Sequence, residues 1–148
     1  MKKLLIAGAL LASSFAQASD YIETASAHDV PTTVQRLTAA AEGKGLTVFK
    51  TIDHAAGARS IDMALAPSQV VIFGNPKLGT VLMQANPAIA VDLPLKIAVW
   101  ENADGKTMLS YRTAASLAEA HGMDPQAKPF QNMAGALKGL TAKAGSAD

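Results

Sequence analysis

Ser68-Gln69-Val70-Val71-Ile72-Phe73-Gly74-Asn75-Pro76 is the stretch on which the fold turns. Val70 to Phe73 is a continuous apolar run, which suits a strand covered on both sides or crossing the centre of a sheet, since a strand with one wet face alternates apolar and polar. Asn75-Pro76 stops the strand. Proline is well placed in the first turn of a following helix, because the N–H it lacks would be unpaired there.

Upstream of this core strand, Leu46 to Asp53 reads as a second strand, with Leu46, Val48 and Ile52 on one face and Thr47, Phe49 and Thr51 on the other. Ala55-Ala56-Gly57-Ala58 makes a turn or a single helical turn. Earlier still, Asp29 offers a capping oxygen, and Val30, Val34, Leu37 and Ala41 recur at helical spacing until Gly43 and Gly45 end the run. Tyr21 to Ala27 is the first strand. Downstream, Leu78, Val81 and Leu82 give a helix an apolar face, and Asn86-Pro87 and Leu93-Pro94 bracket a short segment. Leu95–Glu101 and Lys106–Arg112 form a strand pair around the turn Asn102-Ala103-Asp104-Gly105, where Gly105 is free to take positive φ. Thr113 caps a helix through Leu117 and Ala120 that ends at Gly122. Phe130 to Ala144 reads as a weaker helix, diluted by Gly135 and Gly139, and Gly145 to Asp148 as a frayed end.

The amino terminus predicts export. Lys2 and Lys3 precede the apolar run Leu4–Leu11, and Ala16-Gln17-Ala18 has the small-x-small pattern a signal peptidase requires, which places cleavage before Ser19 and the mature chain in the periplasm or medium. An uncleaved anchor would need roughly 20 apolar residues, and a lipoprotein anchor would need a cysteine, of which there is none. No stable membrane anchor is therefore expected. Residues 19–148 remain as one domain, long enough to bury roughly two-thirds of its unfolded surface. With Lys2 and Lys3 removed, 11 of the 13 basic residues face 12 acidic ones. That balance gives no basic stripe for nucleic acid. Without cysteine no disulfide braces the fold, so apolar burial must carry its stability.

Four motifs in order, Ile52-Asp53-His54, Ile72-Phe73-Gly74-Asn75-Pro76, Asp92-Leu93-Pro94-Leu95-Lys96 and Ser110-Tyr111, resemble the bacterial domain-of-unknown-function family 302 over about Tyr21 to Met123, with the C-terminal helical tail beyond that core. The resemblance implies a compact α+β domain of the TATA-binding-protein-like class, an antiparallel sheet with helices packed on it. It implies no activity, and a shared fold carries no implication of DNA binding.

Function must come from the residues. His54 follows Asp53, and a carboxylate beside imidazole orients the ring for acid–base work, although a histidine at a strand–helix junction also serves as a plain cap, and neighbours on a strand face opposite ways. Asn75 sits between a strand end and a helix start, where N–H groups hold an anion or simply receive a cap; Lys77 adds charge there. Asp92, Lys96 and Glu101 would line a mouth with His54 if the Leu93-Pro94 bend turned Asp92 inward. Tyr111 ends the last strand as a core residue or a proton donor, and Trp100 reads as packing. His121-Gly122-Met123 is an isolated His/Met pair, and with no zinc or calcium spacing no metal or cofactor is expected. There is no Gly-x-Ser-x-Gly elbow and no Cys–His pair. Three readings stay open: a periplasmic small-molecule binding or sensing domain with His54 and Asn75 as polar points and Asp92 and Tyr111 as further ligand contacts, suggested by the 49% apolar, alanine-rich composition; a homodimeric interaction domain pairing through a sheet edge; and a hydrolase or isomerase using His54 with a carboxylate.

Overall fold

Strands and helices alternate through a computed structural model that describes residues 19–147; the export segment Met1–Ala18 lies outside the described residues. In order they are β1 (Tyr21–Ala25), α1 (Val30–Gly43), β2 (Thr47–Asp53), α2 (His54–Arg59), β3 (Ser68–Gly74), α3 (Pro76–Ala85), a 3₁₀ turn (Pro87–Val91), β4 (Leu95–Glu101), β5 (Thr107–Arg112), α4 (Ala114–Ala120) and α5 (Lys128–Gly145). The strands form one antiparallel sheet in the order β1-β5-β4-β3-β2. This is the expected α+β domain.

The alternation of burial shows where the core lies. Val71, Phe73, Ile97, Val99, Leu109 and Tyr111 are buried, while Val70, Ile72, Ala98 and Ser110 between them are half-buried. Helices α1 and α5 pack on the first set through Val30, Leu37, Ala41, Phe130, Leu137 and Leu140. The continuous run of β3 thus has one fully covered face, and of the two expectations for it, cover on both sides or a place inside the sheet, the second holds, since β3 pairs with both β2 and β4. Trp100 lies on the more open face, half-buried, with Nε1 donating to Ser110 Oγ at 3.2 Å.

Capping follows the sequence. Asp29 accepts from Thr32 N at 2.9 Å to start α1, and Thr113 Oγ1 accepts from Ser116 N at 3.1 Å to start α4, each satisfying an amide that the first turn leaves unpaired. Helix α5 has no side-chain cap at its start. At its far end Arg36 of α1 donates to the carbonyls of Ala144 and Lys143, both at 3.2 Å, placing a cation where the helix dipole is negative.

One departure shapes the site. The β2–β3 pairing slips between Val48 and Lys50: Val48 faces Phe73 and Lys50 faces Ile72. Phe49 is the extra residue of a bulge. Beyond it the parity of β2 reverses, so Thr51 turns toward the core and Ile52 is 40% exposed. The expected shared face of Val48 and Ile52 is corrected by this bulge, which no local pattern announces.

Candidate functional site

At the end of β3 the chain builds an apolar groove of about 460 Å³. Asn75 accepts from Lys77 N at 3.0 Å and Leu78 N at 3.4 Å, which fixes the direction of α3. That helix, the 3₁₀ turn and the Leu93-Pro94 entry to β4 form the walls, with Leu82 and Met133 as the buried floor and Phe49 and Met83 as the exposed rim. Two glycines, Gly74 and Gly79, are part of its lining. A Cβ on Gly74 would come within 3.2 Å of Phe49 Cε2 and 3.5 Å of Pro94 Cβ, so a side chain there would push the Phe49 ring back by a few tenths of an ångström. A Cβ on Gly79 would meet Met83 Cε at 3.8 Å and Leu93 Cδ1 at 4.0 Å, at ordinary contact distance across the groove wall. The volume lies within the range of pockets that enclose small ligands, roughly 300–1,000 Å³, and the lining is almost wholly apolar.

Behind the groove, Asp92 closes the 3₁₀ turn and gathers a polar cluster. Its Oδ2 lies 2.7 Å from His121 Nε2 and 3.2 Å from Arg112 Nη1. A carboxylate can only accept, so the His121 nitrogen carries the proton. Arg112 Nε donates onward to Ser116 Oγ at 2.9 Å, and Asn86 Nδ2 donates to the His121 carbonyl at 3.0 Å. These bonds tie the segment that carries Ala90 and Leu93 to β5 and α4. The cluster positions the groove wall.

The His121 bond, then the neighbouring Arg112 cation, hold the Asp92 carboxyl below its usual value against the opposing effect of burial. A depressed folded-state value stabilises the protein above the unfolded pKa, near 3.9, and that contribution is lost as pH falls through the lower folded value. Asp92→Asn is expected to lower stability at pH 7 by about 1–2 kcal/mol, toward the low end for a charged hydrogen bond because the side chain is 32% exposed. The variant should also lose less of its melting temperature than wild type between pH 7 and pH 3, which thermal denaturation at the two pH values checks.

The four candidate residues do not converge. Asn75 lines the groove. Asp92 and Tyr111 border a separate depression lined also by Val70, Ala98 and Ser110 of the sheet; Tyr111 is buried, and desolvation pushes its hydroxyl pKa up against the opposing influence of Thr141. His54 belongs to neither. It opens α2 in an exposed position, and Asp53 beside it accepts from Ala56 N at 2.8 Å and faces Arg59 at 3.9 Å. Of the two readings left open for His54, the carboxylate partner does not form, because Asp53 caps the helix. His54 and Asn75 flank opposite ends of the β2–β3 pair, roughly 20 Å apart at about 3.3 Å per strand residue; of the residues that could have lined one mouth, Asp92 and Lys96 border the same depression, and neither His54 nor Glu101 lines it. Lys96 Nζ also donates to the Pro94 carbonyl at 3.1 Å. Among the described residues no three of His, Cys, Asp and Glu gather to hold a metal.

What sequence reading did not place at a site was Phe49, Met83, Met133, Arg112 and, beyond its pairing with Met123, His121. The groove draws on β2, α3, the 3₁₀ turn, β4 and α5, and no window of sequence contains it. His121 and Asp92 each stood beside a turn, 29 residues apart, and only the docking of α4 against the turn joins them.

Comparison with known proteins sets this geometry in a family. A family model described as "Domain of unknown function DUF302" matches residues 22–140 and so reaches into α5. Two curated relatives, each named "Fluoride-specific ion channel FluC 1", from Brucella suis biovar 1 (strain 1330) and Brucella abortus biovar 1 (strain 9-941), are 40% identical over 105 residues; the match takes in 71% of this chain but only 41% and 39% of theirs. The chain thus spans about two-fifths of the length of the curated relatives it matches. A crystal structure of an uncharacterized conserved DUF302 protein from Bacillus stearothermophilus shares the fold with a TM-score of 0.77 at 16% identity, covering 86% of this chain and 99% of that one.

Proposed function

The chain belongs to the DUF302 family, whose name assigns no activity, and from its own geometry we propose that it is an exported domain that binds a small apolar molecule in the groove beside α3. The observation that supports this reading is the groove itself: about 460 Å³ of apolar space lined in part by Gly74 and Gly79, with a methionine at the rim and another in the floor. Methionine side chains adapt their shape to a guest without losing contact, which suits a site that accepts related molecules. Transfer of the ligand from water drives binding in proportion to the apolar area covered. Periplasmic placement rests on Lys2, Lys3, Leu4–Leu11 and Ala16-Gln17-Ala18.

The test is a titration with the apolar fluorophore N-phenyl-1-naphthylamine. Saturable enhancement of its emission, reversed by dodecanol, is the expected result. A linear, unsaturable response that dodecanol does not reverse would overturn the reading.

A second reading is favoured by the two channel-named relatives, in which about three-fifths of the protein lies outside the match. Among the described residues no helix is long and apolar enough to cross a membrane, and in this reading the shared part is a companion domain to a channel rather than its pore. Deletion of the gene should then sensitise the organism to fluoride; unchanged growth across a fluoride series would count against it.

A further inference from the structure

The groove does not end at its apolar wall. Asn75 and Leu78 also line a second, shallower depression of about 320 Å³, whose polar lining is Lys77, Lys128, Asn75 and Asn132. The lining changes across Asn75: almost wholly apolar in the groove, and in the depression two lysines and two asparagines set among Leu78, Val81 and Pro129, with no carboxylate among the described residues that line either. Neither lysine is ion-paired among the described residues. Each stands in the first turn of its helix, Lys77 in α3 and Lys128 in α5, and neither helix has an acidic residue in that turn to offset the charge. Asn75 Oδ1 is committed to the cap of α3, so what it presents to a ligand is its Nδ2 donors.

We propose that groove and depression form one site for an anionic amphiphile, with the aliphatic chain in the groove and a carboxylate or phosphate head on Lys77 and Lys128. This rests on the groove-binding reading and adds the ligand's head group to it. An alkyl chain alone gains nothing from the depression. A chain ending in an anion places complementary charge beside two ammonium groups that have no ion-pair partner among the described residues, and the pairing weakens with salt because both lysines lie at the surface.

Displacement of bound N-phenyl-1-naphthylamine by four ligands of equal chain length, kept below their micellar concentrations, tests it: dodecanoate, dodecyl phosphate, dodecanol and dodecyltrimethylammonium. At low salt the better anion should displace the probe at a concentration about tenfold below that of dodecanol, with dodecyltrimethylammonium weakest. The double variant Lys77→Gln/Lys128→Gln should bring the anions to the level of dodecanol, whose own displacement stays unchanged. Which anion is the stronger identifies the head as carboxylate or phosphate, and either supports the proposal. Equal displacement by anions and dodecanol in wild type, or an anion preference that survives in the double variant, overturns it while leaving the groove reading in place. Failure of all four to displace the probe overturns both.

Discussion

Gly79→Phe is expected to reduce the affinity for N-phenyl-1-naphthylamine by at least tenfold while leaving the fold intact. Gly79 lies within α3, and a Cβ built there points between Met83 and Leu93 at 3.8 and 4.0 Å. A phenyl ring extending from that Cβ occupies the space the ligand would take. Because Gly79 takes no positive φ, the helix accepts a side chain at this position. The companion variant Gly79→Ala separates occlusion from damage. It should stabilise the protein by about 0.5–1 kcal/mol, since alanine loses less backbone freedom than glycine in a helix, and its single methyl group should weaken the probe far less than phenylalanine does. If Gly79→Phe binds the probe as wild type does while melting normally, the probe sits elsewhere.

The largest effect on stability is expected at Phe73. It is 1% exposed at the centre of the covered sheet face, opposite Val48 on one side and Leu95 on the other. Phe73→Ala removes a ring from a core with no disulfide to brace it, and the cost for such truncations is about 3–5 kcal/mol. That is a large share of the roughly 5–15 kcal/mol that holds a domain of this kind together. The melting temperature should fall on the order of 10–20 °C. Ile72→Ala, on the half-buried face of the same strand, should cost distinctly less. Equal losses at the two positions, measured by thermal denaturation, would contradict the one-sided core.

The difference between those neighbours marks how far the sequence could be read. Val70–Phe73 announced a core strand, and Asn75-Pro76 announced the turn into α3, because each signal is local: apolar continuity, a capping oxygen, a proline without a donor. Asp29 and Thr113 marked helix starts for the same reason, and Gly105, with φ of 74°, closes the hairpin as its position required. The resemblance to DUF302 supplied the antiparallel arrangement, which the solved relative shares. What could not be read was everything decided between distant segments. The bulge at Phe49 depends on the register of β2 against β3. Helix α5 looked weak because Gly135 and Gly139 lower its propensity, yet packing of Phe130, Met133, Leu137 and Leu140 against the sheet and α1 outweighs that cost.

The candidate site was legible in part for the same reason. Asn75 was found because a cap has a local signature, and it borders both the groove and the cationic depression. Asp92 was found as a turn residue, but its partners His121 and Arg112 come from α4 and β5, and its work is to hold the groove wall. Tyr111 was read as either core or proton donor; it is buried, and desolvation raises its hydroxyl pKa. His54 drew attention through its neighbour Asp53, whose carboxylate turns to the backbone of α2 instead.

Native mass spectrometry of the protein purified from its own host, before and after denaturation, tests the central claim most directly. The reading predicts a chain that begins at Ser19 and carries a bound small amphiphile, released on denaturation and missing from Gly79→Phe purified in the same way. A bare wild-type chain, or a bound mass that Gly79→Phe retains in full, would contradict it.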